Sequence, residues 1–249
     1  MLAAGAKPGT VNREWAIVKA ILNRGEAWGL IERNPIRRGS VPMLPLQNGR
    51  LVFFERGEWD RFISAFEDET AWRRYIAQVR NLGPVKLGLA APDPRRYGGG
   101  RRPDSNATAE YRERLRATVP IFKTLLYTGS RLGEIIGLTW ADVDLERGVL
   151  SISQEKVRRR KTMPVSGGFR TLLLSLRRGL GAATVFTRPD GSALPIGEVQ
   201  RAFSVSRRLS GIRPELTPHS IRHTFASWLA IAGTPLRTIQ ELSATRTSG

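Results

Sequence analysis

The sequence predicts a mainly helical fold with a small antiparallel β-sheet, which places it in the α+β class. In most of the chain, apolar residues recur three and four positions apart, which is the spacing of an amphipathic helix. One stretch, Val149 to Ser153, instead alternates apolar and polar residues as a half-buried strand does. After a polar, basic turn, Thr162 to Val165 can return as its partner. These two segments predict a hairpin with a basic tip.

The composition indicates a globular chain with a polyanionic partner. The sequence has 249 residues, of which 41% are apolar, and this is enough for a packed core. Forty Lys and Arg oppose 22 Asp and Glu, so the formal net charge is +18 at pH 7. Such an excess favours a nucleic acid as the partner. RNA ranks below DNA because the sequence has neither a ribonucleoprotein motif nor an aromatic stacking platform.

The composition also excludes several kinds of site. Without cysteine, the chain can form no disulfide and no thiolate metal site, and its two histidines could supply only part of a metal shell. We therefore expect no cofactor, no metal and no small-molecule substrate. The segment Met1 to Gly9 lacks the basic stretch and apolar core of a signal peptide. No segment approaches about 18 consecutive apolar residues, so we expect a cytoplasmic protein with no membrane partner.

Residues 1–48 predict a small helical unit followed by a linker. Thr10 is a candidate N-cap for a helix that ends near Gly25, or about a turn later before Asn34-Pro35. The apolar residues of this helix with helical spacing are Trp15, Val18, Ile21 and Leu22. Between Ile36 and Gly49, proline and glycine become frequent enough to prevent a helix. We place a domain boundary there.

Residues 49–242 predict the larger domain. Helical spacing resumes from Glu58 to Glu67. Residues from about 68 to 114 are mixed and rich in glycine, proline and arginine, which predicts a short helix followed by a flexible basic loop. Two further helices are predicted after the hairpin: Phe169 to Arg178 and Val199 to Leu209.

A turn at Thr128-Gly129 separates two predicted helices. The apolar run from Val119 to Tyr127 should end at this turn, and Ser130 can cap the next helix. Arg131 is then expected in the first turn of that helix, beside free backbone N–H groups.

The segment from Thr217 to His223 carries candidate phosphate ligands. Pro218 suits the first turn of a helix capped by Thr217, so His219, Arg222 and His223 share one face. An arginine fork matches two phosphate oxygens, and the histidines and the helix N-terminus add donors. The alternative is an amphipathic helix whose polar side merely happens to hold these side chains.

The basic tip of the hairpin offers a proton donor. In a reaction at a bound phosphodiester, charge grows on the non-bridging oxygens, and fixed cations such as Arg131 and Arg222 can stabilise it without a metal. A departing oxygen also needs a proton, which a lysine on the hairpin tip can reach to donate; the candidates are Lys156 and, as the backup, Lys161. In the alternative, the tip is a solvated basic turn that touches DNA phosphates nonspecifically. The DNA-binding candidates of this turn are Arg158, Arg159, Arg160 and Lys161.

Together, the stretches from Thr128 to Glu134 and from His219 to His223 resemble the two arginine boxes of tyrosine recombinases, the family of phage integrases and site-specific DNA recombinases. The resemblance runs from about Val11 to Leu242. It implies that family's catalytic-domain fold, preceded by part of its helical, DNA-clamping core-binding domain. The partner that it implies is double-stranded DNA, on which intact relatives act as tetramers.

The resemblance also implies roles for individual residues. Arg131, His219 and Arg222 correspond to the catalytic residues on the scissile phosphate. Lys156 corresponds to the catalytic lysine, because it lies eight residues before Pro164. The supporting residues are Glu134 and His223.

The sequence departs from the family pattern at the nucleophile. Its last tyrosine, Tyr127, precedes the first box, whereas the family's tyrosine follows the second box. After Leu242, residues 243–249 do not match the Leu-Gly-His turn of the family, and a truncation or frame change at about Ser243 accounts for this. We therefore expect an integrase by ancestry that is inactive unless a tyrosine is supplied in trans. The alternative is a DNA-binding protein or regulator without catalysis.

The region of about 68–114 is a second departure. It is longer than the connection expected in the family, so we interpret it as an insertion that touches DNA or has no role.

Overall fold

The computed structural model describes residues 5–36, 42–45, 51–86, 105–154, 159–165 and 167–243, with backbone alone at 78–86, 105–108, 154 and 159. The chain divides into two compact units, Met1–Arg50 and Leu51–Gly249.

The described part of the first unit contains helix α1 (Pro8–Ala27). This helix begins after Lys7 rather than at the predicted cap Thr10, because Pro8 can occupy the first helical position with its fixed φ. The buried side chain of Asn12 accepts a hydrogen bond from the Leu44 N–H and donates one to the Leu44 carbonyl, both at 2.9 Å. These two bonds fix residues 42–45 beside the helix.

The described part of the second unit contains nine α-helices, three strands and a short 3₁₀ helix at Trp140–Asp142. The α-helices and strands are α2 (Arg56–Ser64), α3 (Glu69–Lys86), α4 (Ser105–Arg116), α5 (Val119–Thr128), α6 (Leu132–Ile136), β1 (Val143–Asp144), β2 (Val149–Gln154), β3 (Arg159–Pro164), α7 (Gly167–Leu174), α8 (Ile196–Ser210), α9 (Pro218–Ile231) and α10 (Leu236–Ser243). The predicted mainly helical fold with a small antiparallel sheet is confirmed. None of the helices in the described ranges has the length and apolar character needed to cross a membrane.

The sheet is antiparallel, in the order β1, β2, β3. The hairpin of β2 and β3 was predicted, but β3 begins at Arg159 rather than Thr162, because its pairing with β2 continues to Gln154. Strand β1 was not predicted, since two residues are too few to show alternation. The register pairs Lys161 with Ile152, which is fully buried, so the sequence of β3 brings a lysine to the inner part of the sheet.

In residues 68–114, the predicted short helix is α3, which is longer than expected, and a second helix, α4, was not predicted. Trp72 and Tyr75, three residues apart, are buried with ring centroids 5.5 Å apart, and the ring of Tyr111 on α4 lies 6.2 Å from Trp72. This aromatic packing stabilises helices despite the poor local propensity of the segment. Residues 87–104, where the expected loop falls, lie outside the described residues.

The core centres on buried phenylalanines of α2, α5 and α8. The ring of Phe62 lies 5.2 Å from Phe122 and 4.8 Å from Phe203, with all three side chains almost fully buried. Burial of each ring contributes about 1.5–3 kcal/mol. Helix α5, which ends at the candidate site, is therefore held rigidly by the core.

Helix α9 is anchored to the segment that precedes α2. The backbone N–H of Phe54 donates to Thr224 Oγ1 at 2.8 Å, and Trp228 Nε1 donates to the Phe54 carbonyl at 3.0 Å. At its start, Thr217 is the N-cap residue and Pro218 takes the first turn, as predicted. The predicted face of His219 and Arg222 is thus presented by a helix with fixed position and fixed rotation.

Candidate active site

A left-handed turn at the end of α5 forms the base of the site. Gly129 has φ 58°, and its N–H donates to the Leu125 carbonyl at 2.9 Å. A Cβ atom at this position would lie 2.2 Å from the ring of Phe225 on α9. Glycine is therefore needed twice here, for the positive φ and for the close approach of α9.

Arg131 occupies the N-cap of α6, whereas the sequence predicted that it would lie in the first turn. Its backbone N–H donates to Glu134 Oε2 and its Nη1 donates to Glu134 Oε1, both at 2.9 Å. Ser130, the predicted cap, is buried, and its Oγ has no hydrogen-bond partner. Glu134, the third residue of the helix, therefore caps the start of α6 in place of Ser130. Glu134 also orients the Arg131 guanidinium, whose side chain is 44% exposed.

Arg222 is buried, with 8% exposure, although it carries a charge. Its Nη1 donates to the Gly129 carbonyl at 2.5 Å, and its Nη2 donates to the Ser243 carbonyl at the end of α10. Burial lowers the pKa of Arg222, and the positive charge of Arg131 lowers it further. The side chain is thus not part of a solvated polar face. It joins α9 to the turn after α5 and to α10.

His219 and His223 lie one helical turn apart, with ring centroids 4.7 Å apart and planes nearly perpendicular. The pKa of His219 is lowered by desolvation of the ring and then by Arg222 and Arg131. The pKa of His223 is lowered by desolvation, by His219 and by Arg222. Both imidazoles are therefore mostly neutral at pH 7, and each can donate one N–H to an anion.

Lys161 points inward from β3, which differs from the solvated basic turn that was the alternative interpretation of the tip. Its Nζ donates to the Thr128 carbonyl at 3.0 Å. Burial lowers the pKa of Lys161 to about 8, Arg222 contributes to the decrease, and Glu134 opposes it. The ammonium therefore lies close enough to Arg222 and Glu134 for both charges to act on it, and Glu134 is the carboxylate that orients Arg131.

The other residues of the predicted basic tip are not all described. Lys156 and Arg158 lie outside the described residues, as does the side chain of Arg159. Arg160 is exposed, and its Nη2 donates to Asp142 Oδ1 at 2.6 Å. Its charge is thus partly compensated, because Asp142 follows α6 and faces the hairpin.

The described tyrosines are engaged in packing. Tyr75 is buried and Tyr111 is partly buried, and desolvation raises the pKa of both phenols. A buried phenol with a raised pKa is a poor attacking group. Tyr127 stacks on Phe169 with a centroid distance of 5.2 Å. Tyr97 lies outside the described residues.

Several elements converge at this site, which is suited to an anion. Arg131 lies at the N-cap of α6, and Lys161 lies on β3. Helix α9 supplies Arg222, His219 and His223. Burial lowers the pKa values of Lys161 and Arg222, and repulsion from a neighbouring arginine lowers each of them further. A bound phosphate would relieve this repulsion. In the part of the chain that the structure describes, no group of three or more His, Asp or Glu could hold a metal ion.

Comparison with known proteins identifies relatives. The model of the phage integrase family matches residues 105–246. The tyrosine recombinase XerC of Thermodesulfovibrio yellowstonii is 29% identical over 133 residues, which are 49% of this chain and 44% of XerC. The integrase of Salmonella phage P22 is 31% identical over 129 residues, 47% of this chain and 33% of the relative. The chain therefore spans less than half of these two relatives.

Solved structures of lambda integrase are similar to this fold. In a dimer bound to a COC' core site, the TM-score is 0.66 at 17% identity, over 99% of this chain and 75% of that one. In a tetramer bound to a Holliday junction, the TM-score is 0.65 at 17% identity, over 99% and 62% of the two chains. At this identity the similarity concerns the fold, and it confirms the predicted fold class.

Proposed function

Because this chain belongs to the phage integrase family, we propose that its cluster of arginines and histidines binds the phosphodiester exchanged in site-specific DNA recombination. The observation that carries the proposal is the convergence of Arg131 and Arg222 at one turn. Arg222 holds the Gly129 carbonyl, and Arg131 follows two residues later with its guanidinium partly exposed. Two guanidinium groups that approach from different helices match the oxygens of a phosphate.

The proposed roles follow the chemistry of strand transfer. Arg131, Arg222 and His219 stabilise the charge that grows on the non-bridging oxygens. Glu134 supports Arg131, and His223 supports His219 across their 4.7 Å ring contact. Lys156 is the proposed general acid for the departing 5′ oxygen.

The attacking oxygen is proposed to come from outside the residues that form this site. Residues 128–249 contain no tyrosine, and the described phenols of Tyr75, Tyr111 and Tyr127 are held in packing contacts. Residues 1–249 are therefore proposed to bind DNA, and the 3′-phosphotyrosyl intermediate to require a tyrosine outside them, such as one donated in trans.

The partner is double-stranded DNA, to which the net charge of +18 adds nonspecific affinity. By analogy with the lambda integrase tetramer, we expect assembly as a tetramer on DNA. Residues 1–48 are proposed to clamp the duplex as a partial core-binding domain, and residues 49–242 to form the catalytic-like domain.

A second candidate function is regulation by DNA binding without catalysis. The net charge of +18 favours it, because DNA affinity requires positive charge and does not require a tyrosine. Such a chain would compete with an intact integrase for its site.

A binding measurement on four-way junction DNA tests the proposed function. We expect anisotropy to show affinity that falls steeply with salt, and Arg131→Ala to reduce affinity about tenfold, or about 1.4 kcal/mol. Arg147→Ala is the matched control, because this exposed arginine lies in the turn between β1 and β2, at the other end of β2 from the basic tip. Equal losses for the two variants would contradict a phosphate site at Arg131.

A denaturing gel distinguishes the two candidate functions. With a second polypeptide that supplies a tyrosine, DNA covalently linked to protein is expected for recombination and not for regulation. A covalent adduct formed by residues 1–249 alone would refute the need for a tyrosine outside them.

A further inference from the structure

The carbonyls of the turn after α5 are held by two cations from distant parts of the sequence. Thr128 O accepts a hydrogen bond from Lys161 Nζ at 3.0 Å, and Gly129 O accepts one from Arg222 Nη1 at 2.5 Å. These carbonyls lie at the C-terminal end of a helix, where intrahelical donors have run out and the dipole favours positive charge. The turn is therefore fixed from β3 on one side and from α9 on the other.

Placing Lys161 at this turn is energetically costly. The ammonium is partly buried beside Arg222, and Glu134 is the acidic group whose charge acts on it. An uncharged side chain of similar length, such as methionine, would fill the same space without this cost. A lysine that served only to attract DNA would gain more in a solvated position, such as that of Arg160.

The turn controls the position of Arg131. Arg131 lies three residues after Thr128. Ser130, which lies between them, is buried, and its Oγ makes no hydrogen bond. Glu134 accepts hydrogen bonds from both the guanidinium and the backbone N–H of Arg131. The turn that leads into Arg131 is held by the two carbonyl contacts, together with local bonds of the Gly129 and Ser130 N–H groups. A displacement of the turn therefore displaces Arg131.

We infer that Lys161 is a positioning residue, which holds the Thr128 carbonyl so that the turn presents Arg131 to the DNA phosphate. The inference rests on the proposed function, and it assigns to Lys161 a role through Arg131 rather than contact with DNA. It also separates Lys161 from the basic tip, where Lys156 remains the proposed general acid.

A double-mutant cycle tests this coupling. Affinity for four-way junction DNA is measured for wild type, Lys161→Met, Arg131→Ala and the double variant, with Arg147→Ala in both backgrounds as the control. Lys161→Met should reduce affinity about five- to tenfold. In the Lys161→Met background, Arg131→Ala should reduce affinity by less than a further factor of about two. Arg147→Ala should have the same small effect in both backgrounds.

The outcomes separate the two proposals. If the losses from Lys161→Met and Arg131→Ala multiply, Lys161 acts independently of Arg131 and the positioning role is overturned, while the phosphate site stands. If Arg131→Ala has no effect in the wild-type background, the proposed function fails, and the positioning role fails with it.

A pH profile gives a readout that does not require Lys161→Met to fold. The charged groups that act on Lys161 are Arg222 from α9 and Glu134 from α6, and its pKa of about 8 lies within an accessible range. Wild-type affinity should fall severalfold between about pH 7 and pH 9, as the ammonium loses its proton. Lys161→Arg, which stays charged and can donate to the same carbonyl, should restore affinity and flatten the profile. An unchanged pH dependence in Lys161→Arg would overturn the inference.

Discussion

The guanidinium of Arg222 lies 2.5 Å from the carbonyl oxygen of Gly129, although 93 residues separate the two along the chain. The same side chain also donates to the Ser243 carbonyl. A residue proposed to bind phosphate thus also joins α5, α9 and α10. Function and stability are therefore coupled at this position.

Substitution of Arg222 should reduce stability as well as DNA affinity. Arg222→Ala leaves two buried carbonyls without these donors, and each loss costs about 1–3 kcal/mol. Urea denaturation should show a decrease of about 2–4 kcal/mol in the free energy of unfolding. Arg147→Ala, at an exposed ion pair, is the control and should change it by less than about 0.5 kcal/mol. A loss that small for Arg222→Ala would contradict the structural role.

Gly129→Ala should be more destabilising than an alanine substitution at another left-handed glycine. Gly129 combines a φ of 58° with the close ring of Phe225, whereas Gly181 has a φ of 54° and open space within 4 Å of the position that a Cβ would take. Gly181→Ala should cost about 1 kcal/mol, from backbone strain alone. Gly129→Ala should cost about 2 kcal/mol more, measured by thermal or urea unfolding. Similar costs at the two sites would show that Phe225 does not constrain the turn.

The stability of the protein should depend on Lys161 in the alkaline range. Its pKa is about 8 in the folded chain and 10.5 in the reference state, so between these values the unfolded chain binds more protons. The free energy of unfolding of wild type, relative to Lys161→Met, should therefore rise as pH increases from about 8 to 10.5. Urea denaturation at several pH values measures this difference. A flat or falling difference would indicate that Lys161 is not desolvated.

The stability of the protein should also depend on His219 and His223, in the acidic range. Because the folded-state pKa values of His219 and His223 lie below 6.5, the unfolded chain binds more protons as the pH falls through that region. Their neutral forms contribute stability above pH 6.5, and this contribution is lost at lower pH. Replacing both by glutamine should flatten the pH dependence of unfolding between about pH 6.5 and 5. The prediction fails if the double variant keeps the wild-type slope.

Glu198 offers a test that separates the fold from the site. Its side chain is buried and accepts hydrogen bonds from Arg188 and from Arg114. Glu198→Gln removes the charge that both arginines face, which should cost about 3 kcal/mol of unfolding free energy. Affinity for junction DNA, measured at a temperature where the variant is folded, should stay within about twofold of wild type. A large loss of affinity would place this cluster in the DNA interface.

Local sequence patterns were sufficient to predict much of the architecture. The spacing of apolar residues predicted α2, α5, α7 and α8 of the second unit, apart from their ends. Alternation predicted the hairpin, and Thr217-Pro218 predicted the start of α9. Helix α4 and strand β1 were missed because their stability comes from packing against Trp72 and from pairing with β2.

By itself, the sequence determined the two arginine boxes, the shared face of His219 and Arg222, and the excess of positive charge. These properties follow from residue identity and from helical spacing, which are local. Only the tertiary structure decided that Lys161 points to the Thr128 carbonyl and that Arg222 is buried between Gly129 and Ser243. Such contacts join residues between 21 and 93 positions apart, so they depend on how the core packs α5, α9 and β3 together.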